Sequence, residues 1–299
     1  MRTILRTGSV VLAGALASAC VVSVDSQGQI VRDEKKFTTD GRPELHLTTF
    51  DGAIEVRSWE KPEVLVEIEK RGPTREAVDE LRVESNQRGN VIELEVKRPR
   101  TESFQGFGFH VSSSARLIVS VPRRCDVIAR TGDGSIRVER LEGRLDLRSG
   151  DGSIKAADVN GELVLNTGDG SVTVDGAEGR LALETGDGGV NVTGRLSAVK
   201  MHTGDGSIVY RAEAGAAMAD DWDISTGDGS VSLFLPRVFG AELDAHTGDG
   251  SIRNELAIAS STTSSSDESS RRTVRGRLGD GGYQLRVRTG DGSITLRER

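Results

Sequence analysis

Thr131-Gly-Asp-Gly-Ser-Ile136 is the stretch on which the reading of this chain turns. It returns as Ser149-Gly-Asp-Gly-Ser-Ile154, Thr167-Gly-Asp-Gly-Ser-Val172, Thr185-Gly-Asp-Gly-Gly-Val190 and Thr203-Gly-Asp-Gly-Ser-Ile208, and again from Thr226, Thr247 and Thr289. The first five copies start at 131, 149, 167, 185 and 203, a constant step of 18 residues. A fixed step with one turn per step is the mark of a repeat architecture.

One period shows what the repeat builds. Ile136 and Val138 alternate with Arg137 and Glu139, and Leu145 and Leu147 with Asp146 and Arg148. Alternation of period two is the strand pattern. Gly132-Asp133-Gly134 and Glu142-Gly143 punctuate the two runs. Glycine reaches positive φ without a Cβ clash and Asp can bond its own following backbone, so both read as tight corners. Such a unit cannot bury its apolar face alone; stacked copies bury a continuous ribbon of Leu, Ile and Val at about 4.8 Å per coil. The expected fold is all-β, a β-solenoid of 18-residue coils. Thr131, Ser149, Thr167, Thr185 and Thr203 share the parity of the inward leucines and are expected to face in and bond the turn backbone.

Away from the regular coils the spacing loosens. The step grows between Thr203 and Thr226, between Thr226 and Thr247, and most of all before Thr289. The last gap holds a Ser- and Thr-rich tract, 259–273, expected to be a disordered loop. Leu278-Gly-Asp-Gly-Gly-Tyr283 reads as one more corner, with Tyr283, Leu285 and Val287 pointing inward. Toward the N-terminus, Phe50-Asp-Gly-Ala-Ile-Glu-Val56 is an early, degenerate copy. Further strands follow around Val64–Ile68, Val91–Val96 and Arg116–Val121, and Thr74 is placed to cap a short helix over 75–81. The region 37–125 is thus a less regular β cap, and 126–299 the repeat solenoid. Phe104, Phe107 and Phe109 are expected in a loop folded over the core.

Residues 1–19 stand outside the fold. Arg2 and Arg6 precede an apolar run, Val10 to Ala17, and small residues lead to Cys20. A basic start, a short apolar core and small residues before the cut describe a secretory signal. Cys20 after Ala-Ser-Ala resembles a lipobox, in which that cysteine carries the lipid and becomes the mature N-terminus. Polar 20–36 then reads as a flexible tether. Val21 after the cysteine favours outer-membrane sorting. Loss of Arg2 and Arg6 takes the formal charge from −7 to about −9, which argues against a nucleic-acid partner. Cys125 shares parity with Val127 and Ala129 and is expected in the core.

For chemistry, the corner acids are the obvious set: Asp133, Asp151, Asp169, Asp187, Asp205, Asp228, Asp249 and Asp291. Stacked in register they would line one edge, where close carboxylates attract cations and calcium is the natural candidate cofactor. The alternative is an Asx turn closed by its own backbone. His46, His110, His202 and His246 lack metal spacing, and no Gly-x-Ser-x-Gly elbow or phosphate loop is present. No catalytic residue is assigned. A sugar-cleaving β-helix is a weak alternative at 4% aromatic residues.

The lipoprotein-type leader, the Phe50–Val56 segment with Trp59, Val119-Ser-Val-Pro122 and the serial Gly-Asp-Gly-Ser corners together resemble the DUF4097 "putative adhesin" β-strand-repeat family, over roughly 37–299. The resemblance implies a right-handed β-solenoid at the cell envelope, no catalytic residues, and in some members a link to envelope-stress signalling. The expectation is a non-enzymatic lipoprotein, held at the outer membrane through Cys20, that presents a long surface to an envelope protein or glycan.

Overall fold

In an extended strand Leu145 and Leu147 fall on one side and Asp146 and Arg148 on the other. A computed structural model, describing residues 21–25, 28–97, 113–261 and 272–299, carries this alternation from coil to coil. Each regular coil has one strand running into the Gly-Asp-Gly corner and one leaving it. Stacking gives a leading wall and a trailing wall around one aliphatic core. On the leading wall Leu145 lies between Val127 and Leu163, and Ser149 between Thr131 and Thr167. On the trailing wall Ile136 lies between Ile54 and Ile154. All these pairings are parallel, and the inward Leu, Ile and Val of both walls are buried. The expected β-solenoid of 18-residue coils is the observed architecture.

Parallel in-register stacking explains the strict step. A change of one residue would turn each inward leucine out to solvent. Where the step widens on either side of Thr226, the stack encloses Tyr210, Trp222 and Phe239, the Trp222 ring centroid lying 5.4 Å from that of Tyr210 and 5.2 Å from that of Phe239. Large aromatics fill the space that Leu and Val fill elsewhere.

The order of coils in space departs from their order in sequence at both ends. Trp222–Thr226 pairs with Gln284–Thr289, which pairs on its far side with Ala241–Thr247. The trailing wall does the same through Val231–Leu235, Ile294–Glu298 and Ile252–Asn254. The last coil of the chain is therefore an interior rung. At the other end Glu44–Thr49 sits between Val91–Lys97 and Asp126–Thr131, and Ile54–Trp59 between Ser114–Pro122 and Ile136–Glu139.

Antiparallel strands cover the ends. Arg82–Arg88 lies on Val91–Lys97, and Thr273–Leu278 on Ala241–Thr247. Glu63–Gly72 lies on Ser114–Pro122 and itself carries Gly28–Thr38. That last pairing corrects the tether expected over 20–36. Val31 and Phe37 are buried, but Asp33 and Lys35 occupy the positions between them on the same face. Two apolar residues split by charges leave no visible alternation, and the segment is held by ladder bonds and by the Lys70–Asp33 ion pair at 3.1 Å. The region 37–125 likewise supplies two complete rungs besides the cover.

Thr74 Oγ1 accepts from Ala77 N at 3.2 Å and caps the helix Arg75–Asp79, shorter than the expected 75–81. Tyr283, expected inward, is 48% exposed, because the chain is still turning through Gly279, Gly281 and Gly282 at positive φ. Ile258–Ser261 and Thr273–Leu278 are strands, so the disordered tract expected over 259–273 is trimmed from both sides. Its remainder, the leader with Cys20, and Phe104 to His110 lie outside the described residues.

Candidate functional site

The corner is built from its hydroxyl outward. Thr and Ser of the row are buried at the end of the leading strands. Ser149 Oγ donates to Gly134 O of the preceding coil at 2.8 Å and accepts from Gly152 N at 3.0 Å. Thr203 repeats this with Gly188 O at 3.1 Å and Gly206 N at 3.2 Å, and Thr289 with Gly229 O at 2.7 Å and Gly292 N at 3.2 Å. These hydroxyls, and those of Thr226 and Thr247, close their own turns and tie them to the neighbouring coil, as the parity of these residues predicts. Thr131, Thr167 and Thr185 make the tie alone, to Gly52 O, Gly152 O and Gly170 O.

The glycines serve a different end from the one expected. Those of the eight Thr/Ser-headed Gly-Asp-Gly corners do not take positive φ, unlike Gly279 and Gly281 of the Leu278–Tyr283 turn. They are there for close approach: a Cβ on Gly152 would stand 2.0 Å from Gly134 O, and one on Gly188 2.0 Å from Gly170 O. Positive φ belongs to the opposite corner, as at Gly161 and Gly179.

The corner acids do form one aligned row, since Gly168 N bonds Gly150 O, Gly204 N bonds Gly186 O and Gly227 N bonds Gly204 O across successive coils. Their side chains are all exposed. In the corners headed by Ser149, Thr203, Thr226, Thr247 and Thr289 the turn is closed by the hydroxyl, not by an Asx bond. Asp249 pairs with Arg272 at 3.3 Å. Among the described residues no group of three or more His, Cys, Asp or Glu stands close enough to hold a metal ion. The row is a ladder of single carboxylates, each separated from the next by a coil.

Outside the corners, the leading wall carries a shallow groove of about 570 Å³, edged by Arg148, Asn166, Glu184, Lys200, His202 and Asp223 over a floor with Val164 and Ala182. Register places Glu184 beside His202, and Asp223 beside Lys200. Two carboxylates are thus present, but their strands lie two rungs apart, about 10 Å at strand spacing. Asn166 Nδ2 donates to Glu184 at 3.4 Å, and Asp223 is engaged by Arg286 at 3.5 Å. They do not converge on a common point as a glycosidase pair must. His202 is exposed and bonds Ser225 Oγ at 3.1 Å; His246 bonds Thr273 Oγ1 at 2.9 Å. Both are surface residues, as their varied neighbours in the repeat indicate.

The perturbed titrations serve structure. Cys125 is wholly buried in the core, and burial, then the Asp126 charge, push its thiol far up, so it is no nucleophile. Burial also raises the Tyr210 phenol. Burial would raise Glu69, yet hydrogen bonds and charge from Arg71 and Arg32 outweigh it and hold the carboxyl below its ordinary value. Asp244 is lowered in the same way, burial being outweighed by Arg288 and Arg275. Both acids pin end strands to the stack. Among the described residues no helix is long and apolar enough to cross a membrane.

The sequence family described as Toastrack DUF4097 matches residues 43–297. No curated protein matches the chain. Among solved structures it is similar to a "putative adhesin" from Parabacteroides merdae, at 11% identity over 89% of this chain and 95% of that one, TM-score 0.47. A "putative lipid binding protein" from Parabacteroides distasonis is similar at 13% identity over 89% and 96%, TM-score 0.44. A "putative adhesin" from Bacteroides fragilis is similar at 10% over 90% and 97%, TM-score 0.33.

Proposed function

Because the chain belongs to the Toastrack DUF4097 family, we propose that it is a non-enzymatic, lipid-anchored protein of the cell envelope that offers its stacked strands to a partner as an extended surface. The observation that carries this reading is the stack itself. Every coil is locked to the next by ladder bonds and by the corner hydroxyls. Outward residues therefore recur in straight rows at fixed spacing, a rigid face with little conformational freedom to lose on binding. The two carboxylates of the leading-wall groove do not converge, which weighs against the glycosidase alternative.

The anchor reading rests on Arg2, Arg6, the Val10–Ala17 run and Cys20. A lipid there would sit directly before the strand Val21–Asp25. The folded body would then stand close to the membrane by its N-terminal end, with the far coils pointing away. Metabolic labelling with a palmitate analogue and membrane fractionation test this. The wild-type chain is expected to take label and pellet with the outer membrane; Cys20→Ser is expected to lose the label and leave the membrane pellet. An unlabelled wild-type chain in the soluble fraction would overturn the reading.

A further inference from the structure

We propose that the trailing wall binds a neutral polysaccharide, an uncharged polyhydroxylated chain laid across five adjacent coils. The proposal rests on the reading of this protein as an envelope binding surface and names the partner's chemistry. Register aligns one outward row of that wall as Lys155, Thr173, Asn191, Val209, Ser232, Thr295 and Arg253. Between the lysine and the arginine no position is charged. The outward row one step nearer the corner runs Ser171, Gly189, Ser207, Ser230 and Ser293. Backbone bonds hold it in line, from Val172 N to Gly189 O at 3.0 Å, Val190 N to Ser207 O at 2.9 Å and Ile208 N to Ser230 O at 2.9 Å. All five are exposed.

In a chain that is 28% charged, this block of small, mostly hydroxyl-bearing side chains stands apart. The leading wall at the same coils carries Glu184, Lys200, His202 and Asp223.

Charge selects the ligand. An anionic polymer would find only two cations, both on the far border and both already engaged, Arg211 by Asn191 Oδ1 at 3.0 Å and Arg297 by Glu255 at 3.2 Å. It would meet the exposed corner acids along the near border, including Asp187, Asp205 and Asp228. Sugar hydroxyls, in contrast, gain donors and acceptors from Ser and Thr and further acceptors from those same carboxylates. On the far border Phe234 faces outward, two residues beyond Ser232, with the Arg211 guanidinium 5.2 Å from its ring centre. A half-exposed ring beside hydroxyls suits the mixed apolar and polar faces of a sugar. A row repeating at about 4.8 Å favours a polymer over a single sugar, because many weak contacts on one chain add through effective concentration.

Affinity electrophoresis of the full chain in non-ionic detergent tests this, with dextran, xylan or mannan in the gel and alginate as the anionic control. At least one neutral polymer is expected to retard the wild type, and alginate is not. Thr173→Lys and Ser232→Lys, each at an outward position, are expected to weaken retardation at least tenfold at unchanged Tm, and Thr173→Ser to keep it. Ser207→Lys is a further variant should either lysine disturb folding. The proposal is overturned if no neutral polymer retards the chain, if alginate does so equally, or if the lysines change nothing. It is also overturned if sedimentation shows a wild-type dimer that Ser232→Lys splits, since the occupant is then a second copy. A chain that labels and pellets with the membrane but ignores every neutral polymer sinks only the polysaccharide. A soluble, unlabelled chain sinks the envelope reading instead.

Discussion

Glycine in this repeat answers a demand for space. At Gly152 the carbonyl of Gly134 occupies the place a Cβ would need, 2.0 Å away. Gly152→Ala must push two coils apart at a corner where Ser149 also bonds. The expected cost is roughly 1–3 kcal/mol, the range of overpacking, read as a lower denaturation midpoint. Gly189 is the instructive contrast. It fills the slot that other copies give to Ser, has no left-handed φ, and a Cβ there would meet only Ser207 O at 3.9 Å. Gly189→Ser is expected to stabilise by about 0.4–1 kcal/mol through the unfolded chain's lost freedom. If Gly152→Ala proved neutral, the tight corner described above would be wrong. The sequence showed where these glycines recur but not why, since a residue needed for positive φ and one needed for close approach look alike in one chain. The hydroxyl row was easier to read: a Thr or Ser always in phase with inward leucines has only the turn backbone to bond.

At the scale of the element, stacking made the coils legible and hid their rank. Thr247 and Thr289 head the same motif, so nothing in either copy says which is the terminal rung. The covering strands were harder still. Gly28–Thr38 buries Val31 and Phe37 with Asp33 and Lys35 between, a pattern no period detects. The neutral plateau needed only a comparison of outward rows coil by coil, and its signal was a missing charge, which motif reading passes over. Removing residues 284–299 tests the rung order. The cut takes out an interior rung, so hydrogen exchange is expected to speed up in Ala241–Thr247 as well as at the new edge, Trp222–Thr226. Protection that persisted in Ala241–Thr247 would contradict the interposed coil. Acid tests the pins. Glu69 and Asp244 have folded carboxyls held below their ordinary values by arginine pairs. Their stabilisation is therefore present above the unfolded pKa of about 4 and fades as pH falls through the lowered folded value. Tm is expected to drop below about pH 4, and Glu69→Gln with Asp244→Asn to make the chain less stable at pH 7 and flatten that drop. An equally steep acid limb in the double variant would place the acid sensitivity elsewhere.

The whole molecule sets its negative charge in a line. The formal charge is −7, and the corner acids run along one border from Asp133 to the Asp249 coil, exposed and one per coil. Two unit charges at 4 Å in water repel by about 1 kcal/mol, less at rung spacing, and salt screens what remains over a Debye length of about 8–10 Å. The aligned row is thus a mild, distributed strain that ionic strength relieves. Raising NaCl is expected to lift Tm by a few degrees, and Asp187→Asn with Asp205→Asn to lift it at low salt and shrink the salt response. Because no trio of ligands converges among the described residues, calcium at matched ionic strength is expected to do no more than magnesium, and EDTA to leave Tm where it was. A calcium-specific rise abolished by EDTA would mean that carboxylates of neighbouring coils swing together on the ion, and the border would become a calcium-binding edge.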